Sequence, residues 1–299
     1  MILKKNKKQN KFQSKIIDPV IIIGAPRSGT NMLRDILTSL PNVTTWPCDE
    51  INTIWRHGNV QHPSDEFTPA MARPEVSYYI QSQFDWIARK NCAHWVVEKT
   101  CANSLRVGFV DRIIPEAKYI FIRRDGLDSV CSALKRWTAT LDIPYLARKA
   151  RFVPFTDVPH YAFGYLCNRM YRLFSSEERL ASWGPKIDGM DQILNRYALD
   201  EVCALQWKKC VDSAAHAFAG MSRSRSIEIG YENFVSKPII ELQRVLDFLG
   251  LQASDGLIAK AVTGVSSRSV GKGQRELGAE KVKRLEPLIR DTQERFGYM

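Results

Sequence analysis

The chain has 299 residues, of which 44% are apolar, ample for the buried core of one large globular domain or two small ones. Its formal charge of +11 does not mark a nucleic-acid binder: Lys4, Lys5, Lys7, Lys8, Lys11 and Lys15 lie in an N-terminal tail without an acid, and the modest surplus that remains suits an anionic ligand. No run approaches the roughly 20 consecutive apolar residues of a membrane span, the first residues lack the apolar centre of a signal peptide, and seven cysteines without a C-x-x-C pair suit a reducing compartment better than a disulfide framework or a zinc site.

These features predict a cytoplasmic protein. Residues 1–18 form a basic, disordered tail whose alternative role is weak contact with an anionic membrane surface. A single domain follows over 19–299.

In chain order, "VIII" (20–23), "HWVV" (94–97), "YIFI" (119–122) and "SIEI" (226–229) read as strands. The first and third are apolar enough to be buried on both faces, as in a parallel sheet. Between the strands, Leu105, Phe109 and Ile113 recur every four residues, and Leu242, Leu246 and Leu249 follow steps of four and three; both patterns are amphipathic helices. The alternation predicts crossover units and a three-layer α/β fold, a P-loop-like central parallel β-sheet flanked by helices. Two stretches break the alternation: residues 55–74, and an aromatic and basic insertion around 141–196 expected to cover a substrate cleft.

The stretch "VIIIGAPRSGTN" runs from a strand through a glycine-rich bend into a helix starting near Thr30. Such a bend aims free backbone N–H groups and the positive end of a helix at one point, which is a phosphate-binding geometry. In an ATP or GTP loop, lysine and then Ser or Thr follow the second glycine. Here Thr30 and Asn31 stand there, which argues against a magnesium-dependent kinase or NTPase and leaves a cradle for one 5′-phosphate with Arg27 beside it. "YIFIRRDGLDSVCSALKRW" repeats the design. Arg124 follows a strand, where ligands collect in open α/β sheets, and Ser132 shares a helix face with Asp128. The pair can hold a second phosphate; alternatively Arg123 and Arg124 merely pair with Asp125 or Asp128.

Together the two stretches resemble the sulfotransferase superfamily, which transfers a sulfuryl group from 3′-phosphoadenosine 5′-phosphosulfate (PAPS). "GAPRSGTN" is similar to that family's 5′-phosphosulfate loop and "RDGLDSVCS" to its 3′-phosphate motif, an arginine followed by serine at the eighth residue. "IGYENFVSKPIIELQRVLDFLGL" and "SVGKGQRELGAEKVKRLEPLIRDTQERFGY" resemble its later segments, so the likeness runs from about Val20 to Tyr298, nearest in character to the bacterial carbohydrate and tyrosylprotein branches.

The resemblance implies an in-line displacement with PAPS as donor and no metal. Arg27 would neutralise the leaving phosphate, and Ser28, Gly29, Thr30 and Asn31 would line the 5′-phosphate. Arg124 and Ser132 would hold the 3′-phosphate, with Arg268 and Lys272 of "SSRSVGKG" closing over the nucleotide. No histidine occupies "EKTCANS", where some members carry their base. The acid of "WPCDEINTIWRHGN" that best matches the other branches is Glu50, then Asp49, and either could instead cap the next helix. His57 is the remaining candidate base or a satisfied loop histidine. Lys99 resembles the lysine of the family's K-[DT]-P segment, with Glu98 a simple partner for it. Trp46, Trp55, His57 and His62 could stack on sugar rings, so a glycan or glycan precursor is the expected acceptor hydroxyl, with tyrosine, lipid or small-molecule acceptors as alternatives. A non-catalytic nucleotide-binding module would be expected to have lost residues such as Arg27, Gly29, Arg124 or Ser132, all of which are present.

Overall fold

The structure is a computed structural model describing residues 17–138, 150–164, 166 and 183–298. The expected tail therefore lies almost wholly outside the described residues, as does much of the 141–196 insertion. Five strands form one sheet in the order β2-β3-β1-β4-β5: β1 (Asp18–Ile23), β2 (Val43–Thr44), β3 (Trp95–Lys99), β4 (Lys118–Arg123) and β5 (Ser226–Gly230). Every pairing is parallel, as the double-sided burial of 20–23 and 119–122 predicts. Only β2 lacked a sequence signal, because two residues carry no period.

Alternation along the central strands divides the core. Ile21, Ile23, Tyr119 and Phe121 face one layer, and Val20, Ile22, Ile120 and Ile122 face the other. All eight are fully buried, each burial contributing about 1.5–3 kcal/mol. The first layer is built from α3 (Pro74–Lys90), α4 (Val107–Ile113), α5 (Gly126–Trp137), α7 (Leu199–Ala219) and α12 (Ala279–Arg295). The second is built from α1 (Thr30–Thr38), α9 (Pro238–Leu249) and α10 (Asp255–Ala261). Further short helices among the described residues are α2 (Asn52–Trp55), α6 (Met190–Arg196), α8 (Tyr231–Ser236) and α11 (Lys272–Glu276). Leu105 of the expected 105–113 helix belongs instead to a 3₁₀ turn, Cys101–Leu105, ahead of α4.

The strand order places β1 between β3 and β4, so the chain crosses in opposite directions on its two sides. Ligand crevices form at the carboxyl ends of strands at such a switch point. Arg27 follows β1, Lys99 ends β3, Arg124 follows β4 and Tyr231 follows β5. The topology thus gathers at one edge residues that are far apart in sequence.

Candidate active site

Between β1 and α1 the backbone makes a tight bend, Ser28 N donating to Ala25 O at 3.2 Å. Arg27 has φ +69° and Gly29 has φ +90°. For arginine that left-handed backbone costs about 1–2 kcal/mol, strain of the kind held at ligand-binding turns. At Gly29 a Cβ would lie 2.5 Å from the Tyr231 ring, so only glycine fits. Gly29 is the N-cap of α1 and offers no capping side chain, leaving the first N–H groups of the helix for a ligand. Ser28 Oγ and Asn31 Oδ1 are buried without a hydrogen-bond partner among the described residues. A buried polar group in that state is costly unless something binds it.

Arg27 Nε donates to Ser132 Oγ at 2.9 Å, which brings the bend after β1 and the helix after β4 into direct contact. The pKa of Arg27 is lowered, first by partial desolvation and next by the positive charge of Arg136. The guanidinium stays charged. Arg124 is buried, at 5% exposure. Its Nη1 donates to Arg27 O at 3.1 Å, and its Nη2 donates to Ser269 O at 2.6 Å and to Asp128 at 3.3 Å. The pairing with Asp128 that the spacing allowed is therefore present, whereas Arg123 pairs with Glu228 at 3.5 Å. Arg124 Nε is buried and unpartnered among the described residues, and the guanidinium lies over the Tyr231 ring at 4.4 Å. The 266–271 loop packs on this group; within it Arg268 is exposed, and Lys272, next in the chain, is 3.5 Å from Glu276.

On the other side of the bend stands the acidic segment. Glu50 Oε1 accepts from Lys99 Nζ at 3.1 Å and from Cys101 N at 3.2 Å, and Cys101 Sγ is 3.7 Å from Thr30 Oγ1. A single residue thus links Glu50 to the first turn of α1. Asp49 is held by Arg34 at 3.2 Å. Neither acid caps α2, whose N-cap is Ile51. Lys99 is 3% exposed and Glu50 26%. Burial lowers the lysine pKa, but its neighbours together, Glu50 foremost and Cys101 next, outweigh burial, and the net direction is upward. Burial first, and Glu50 next, push Cys101 well up, so it stays a thiol.

Three sequence readings change here. Lys99 does not pair with Glu98, because neighbouring residues of a strand face opposite layers. Trp46 and Trp55 are 2% and 0% exposed and meet Phe84 edge-on at 4.9 and 5.9 Å; they are core residues. His57 Nδ1 lies 2.8 Å from Asp157 Oδ2, against the Tyr79 ring, and His62 Nδ1 lies 3.0 Å from Ser64 O. Both are satisfied histidines. Asp128, Tyr231 and Thr100 had not been singled out as site residues. The face shared by Asp128 and Ser132 was the one available signal.

Glu98 lies behind the site. It is fully buried, accepting from Thr100 Oγ1 at 2.6 Å and from Asn103 Nδ2 at 3.0 Å, and Thr100 Oγ1 in turn accepts from Ile51 N at 3.2 Å. Burial raises its pKa from 4.5 to about 7. The folded state therefore holds the proton more tightly than the unfolded chain, so the favourable contribution is full below 4.5 and is lost as pH rises to about 7, a decline of about 3 kcal/mol. Denaturant midpoints measured from pH 5 to 8 should show this decline in the wild type and a flatter profile in Glu98→Gln. Parallel profiles would mean that Glu98 does not titrate in that window.

The sulfotransferase family profile matches residues 19–163 and 167–255. No curated protein matches the chain. Among solved structures, the sulfotransferase domain from the curacin biosynthetic pathway aligns with a TM-score of 0.51 and 13% identity, covering 92% of this chain and 98% of that one. Sulfotransferase STF9 from Mycobacterium avium aligns with a TM-score of 0.51 and 11% identity, covering 93% and 76%. Those two likenesses concern the fold, a parallel sheet with helices on both faces. The profile spans most of the sequence, including Arg27, Glu50, Lys99, Arg124 and Ser132, and on that ground the chain belongs to the sulfotransferase family.

Proposed function

We propose that the enzyme takes its sulfuryl group from PAPS and passes it to an acceptor hydroxyl by in-line displacement. The observation that carries the donor reading is the 2.9 Å hydrogen bond from Arg27 to Ser132 across 105 positions. It makes one basic surface of the two phosphate motifs, as a nucleotide with separate 5′- and 3′-phosphates requires. The residues fit such an anion: Ser28 Oγ and Arg124 Nε are buried and unpartnered among the described residues, and both can donate. When bound, PAPS supplies the activated sulfuryl group. Arg27 and the N–H groups at the start of α1 favour the negative charge that gathers on the departing phosphate. Glu50 takes the acceptor proton, and Lys99 holds that carboxylate in place.

The acceptor is proposed only as a hydroxyl. Trp46 and Trp55 lie in the core and cannot stack on a sugar ring, so the glycan reading keeps only the half-buried rings of His57 and His62, held by Asp157 and Ser64. Incubation with sulfur-labelled PAPS and separate panels of glycan, peptide, lipid and small alcohol acceptors identifies the class.

Adenosine 3′,5′-bisphosphate should raise the melting temperature well above the effect of AMP or of ATP with magnesium. At a hundredfold excess over its Kd it adds about 2.7 kcal/mol. Equal stabilisation by AMP would remove the second phosphate site, and stronger stabilisation by ATP with magnesium would favour an NTPase.

A further inference from the structure

The 266–271 loop and the start of α11 are held by one buried carboxylate. Asp128 is 1% exposed and sits in the first turn of α5. Its Oδ2 accepts from Gly271 N at 2.9 Å and its Oδ1 from Gly273 N at 2.6 Å, with Arg124 Nη2 at 3.3 Å from Oδ2. Gly273 packs so closely on α5 that a Cβ would fall 2.3 Å from the Leu127 carbonyl carbon. Ser269 is tied to the same group, its carbonyl accepting from Arg124 and its hydroxyl 2.7 Å from Tyr231 Oη. Tyr231 in turn lies under Gly29. A continuous set of contacts thus joins the phosphosulfate bend, the start of α5 and the loop that carries Arg268 and Lys272.

We propose that Asp128 is a positioning residue for the donor: it docks the 266–271 loop on α5, so that Arg268 and Lys272 stand over the nucleotide site. This rests on the PAPS reading above. A carboxylate so close to an anion site is unfavourable on charge alone, and removing it should strengthen anion binding. If instead it works by holding the loop, removing it weakens binding although the site becomes more positive. The two roles predict opposite signs.

Asp128→Asn and Gly273→Ala test this from the two sides of the contact, the second without any change of charge. Calorimetry with adenosine 3′,5′-bisphosphate should show Kd raised about tenfold in both variants, the scale of losing a hydrogen bond to a charged group. Turnover at saturating PAPS should stay near the wild-type value, with the effect in KM. Limited trypsin digestion without nucleotide, run at the same interval below each protein's own melting temperature, should cut faster after Arg268 and Lys272 in both variants. Tighter or unchanged bisphosphate binding by Asp128→Asn, or unaltered digestion in both, overturns the proposal. Failure of the wild type to bind bisphosphate refutes the donor reading and this proposal with it. Wild-type binding with an unaffected Asp128→Asn variant refutes the positioning role alone.

Discussion

Glu50→Gln is expected to lower turnover about 10²- to 10⁴-fold, the contribution of a general base, with bisphosphate affinity nearly unchanged. Glutamine keeps the shape and can still accept from Cys101 N, but it cannot take a proton. The substitution also strips Lys99, 3% exposed, of its partner carboxylate. Breaking a buried pair by removing one member costs about 3 kcal/mol, and the partial exposure of Glu50 keeps the cost from being larger. A fall in activity through simple destabilisation must therefore be separated from lost basicity. Glu50→Gln combined with Lys99→Met removes both charges and should recover most of the melting temperature without recovering turnover. Recovery of turnover in the double variant would show that Glu50 serves only to neutralise Lys99. Asp49→Asn, whose carboxylate is engaged by Arg34, and His57→Ala, whose ring is held by Asp157, should each cost much less than Glu50→Gln.

Arg27→Ala is expected to reduce turnover about 10²- to 10³-fold, the scale of removing one donor from a developing anion. Nucleotide affinity should fall by less, because the leaving phosphate gains most of its charge in the transition state. The substitution also breaks the contact with Ser132. Ser132→Ala, which removes that contact and the hydroxyl expected at the 3′-phosphate but keeps Arg27, should mainly weaken bisphosphate binding. Backbone strain can be separated as well: alanine and arginine both resist the φ of +69° seen at Arg27, so Arg27→Gly should be at least as stable as Arg27→Ala while equally slow. A pure rise in the KM for PAPS with turnover intact would leave Arg27 as an anchor for the ground state only.

The sequence by itself determined four of the five strands and the glycine-bearing bend after β1. "VIII" and "YIFI" are uniformly apolar because both faces of a central parallel strand are buried. "GAPRSGTN" announces its turn because a strand-to-helix bend of that kind needs glycine at the Gly29 position. These are local properties, readable wherever the backbone and its nearest neighbours set the choice of residue.

Tertiary structure decided the pairings. That Lys99 belongs to Glu50 rather than Glu98 depends on which layer each strand residue faces. The use of Trp46 and Trp55 as core residues depends on where Phe84 arrives from α3. Asp128 had only a helix-face signal, because the N–H groups it accepts come from 143 and 145 positions away. Such contacts are settled by how the sheet order gathers strand ends at the switch point between β3 and β4, and no spacing along the chain encodes that distance.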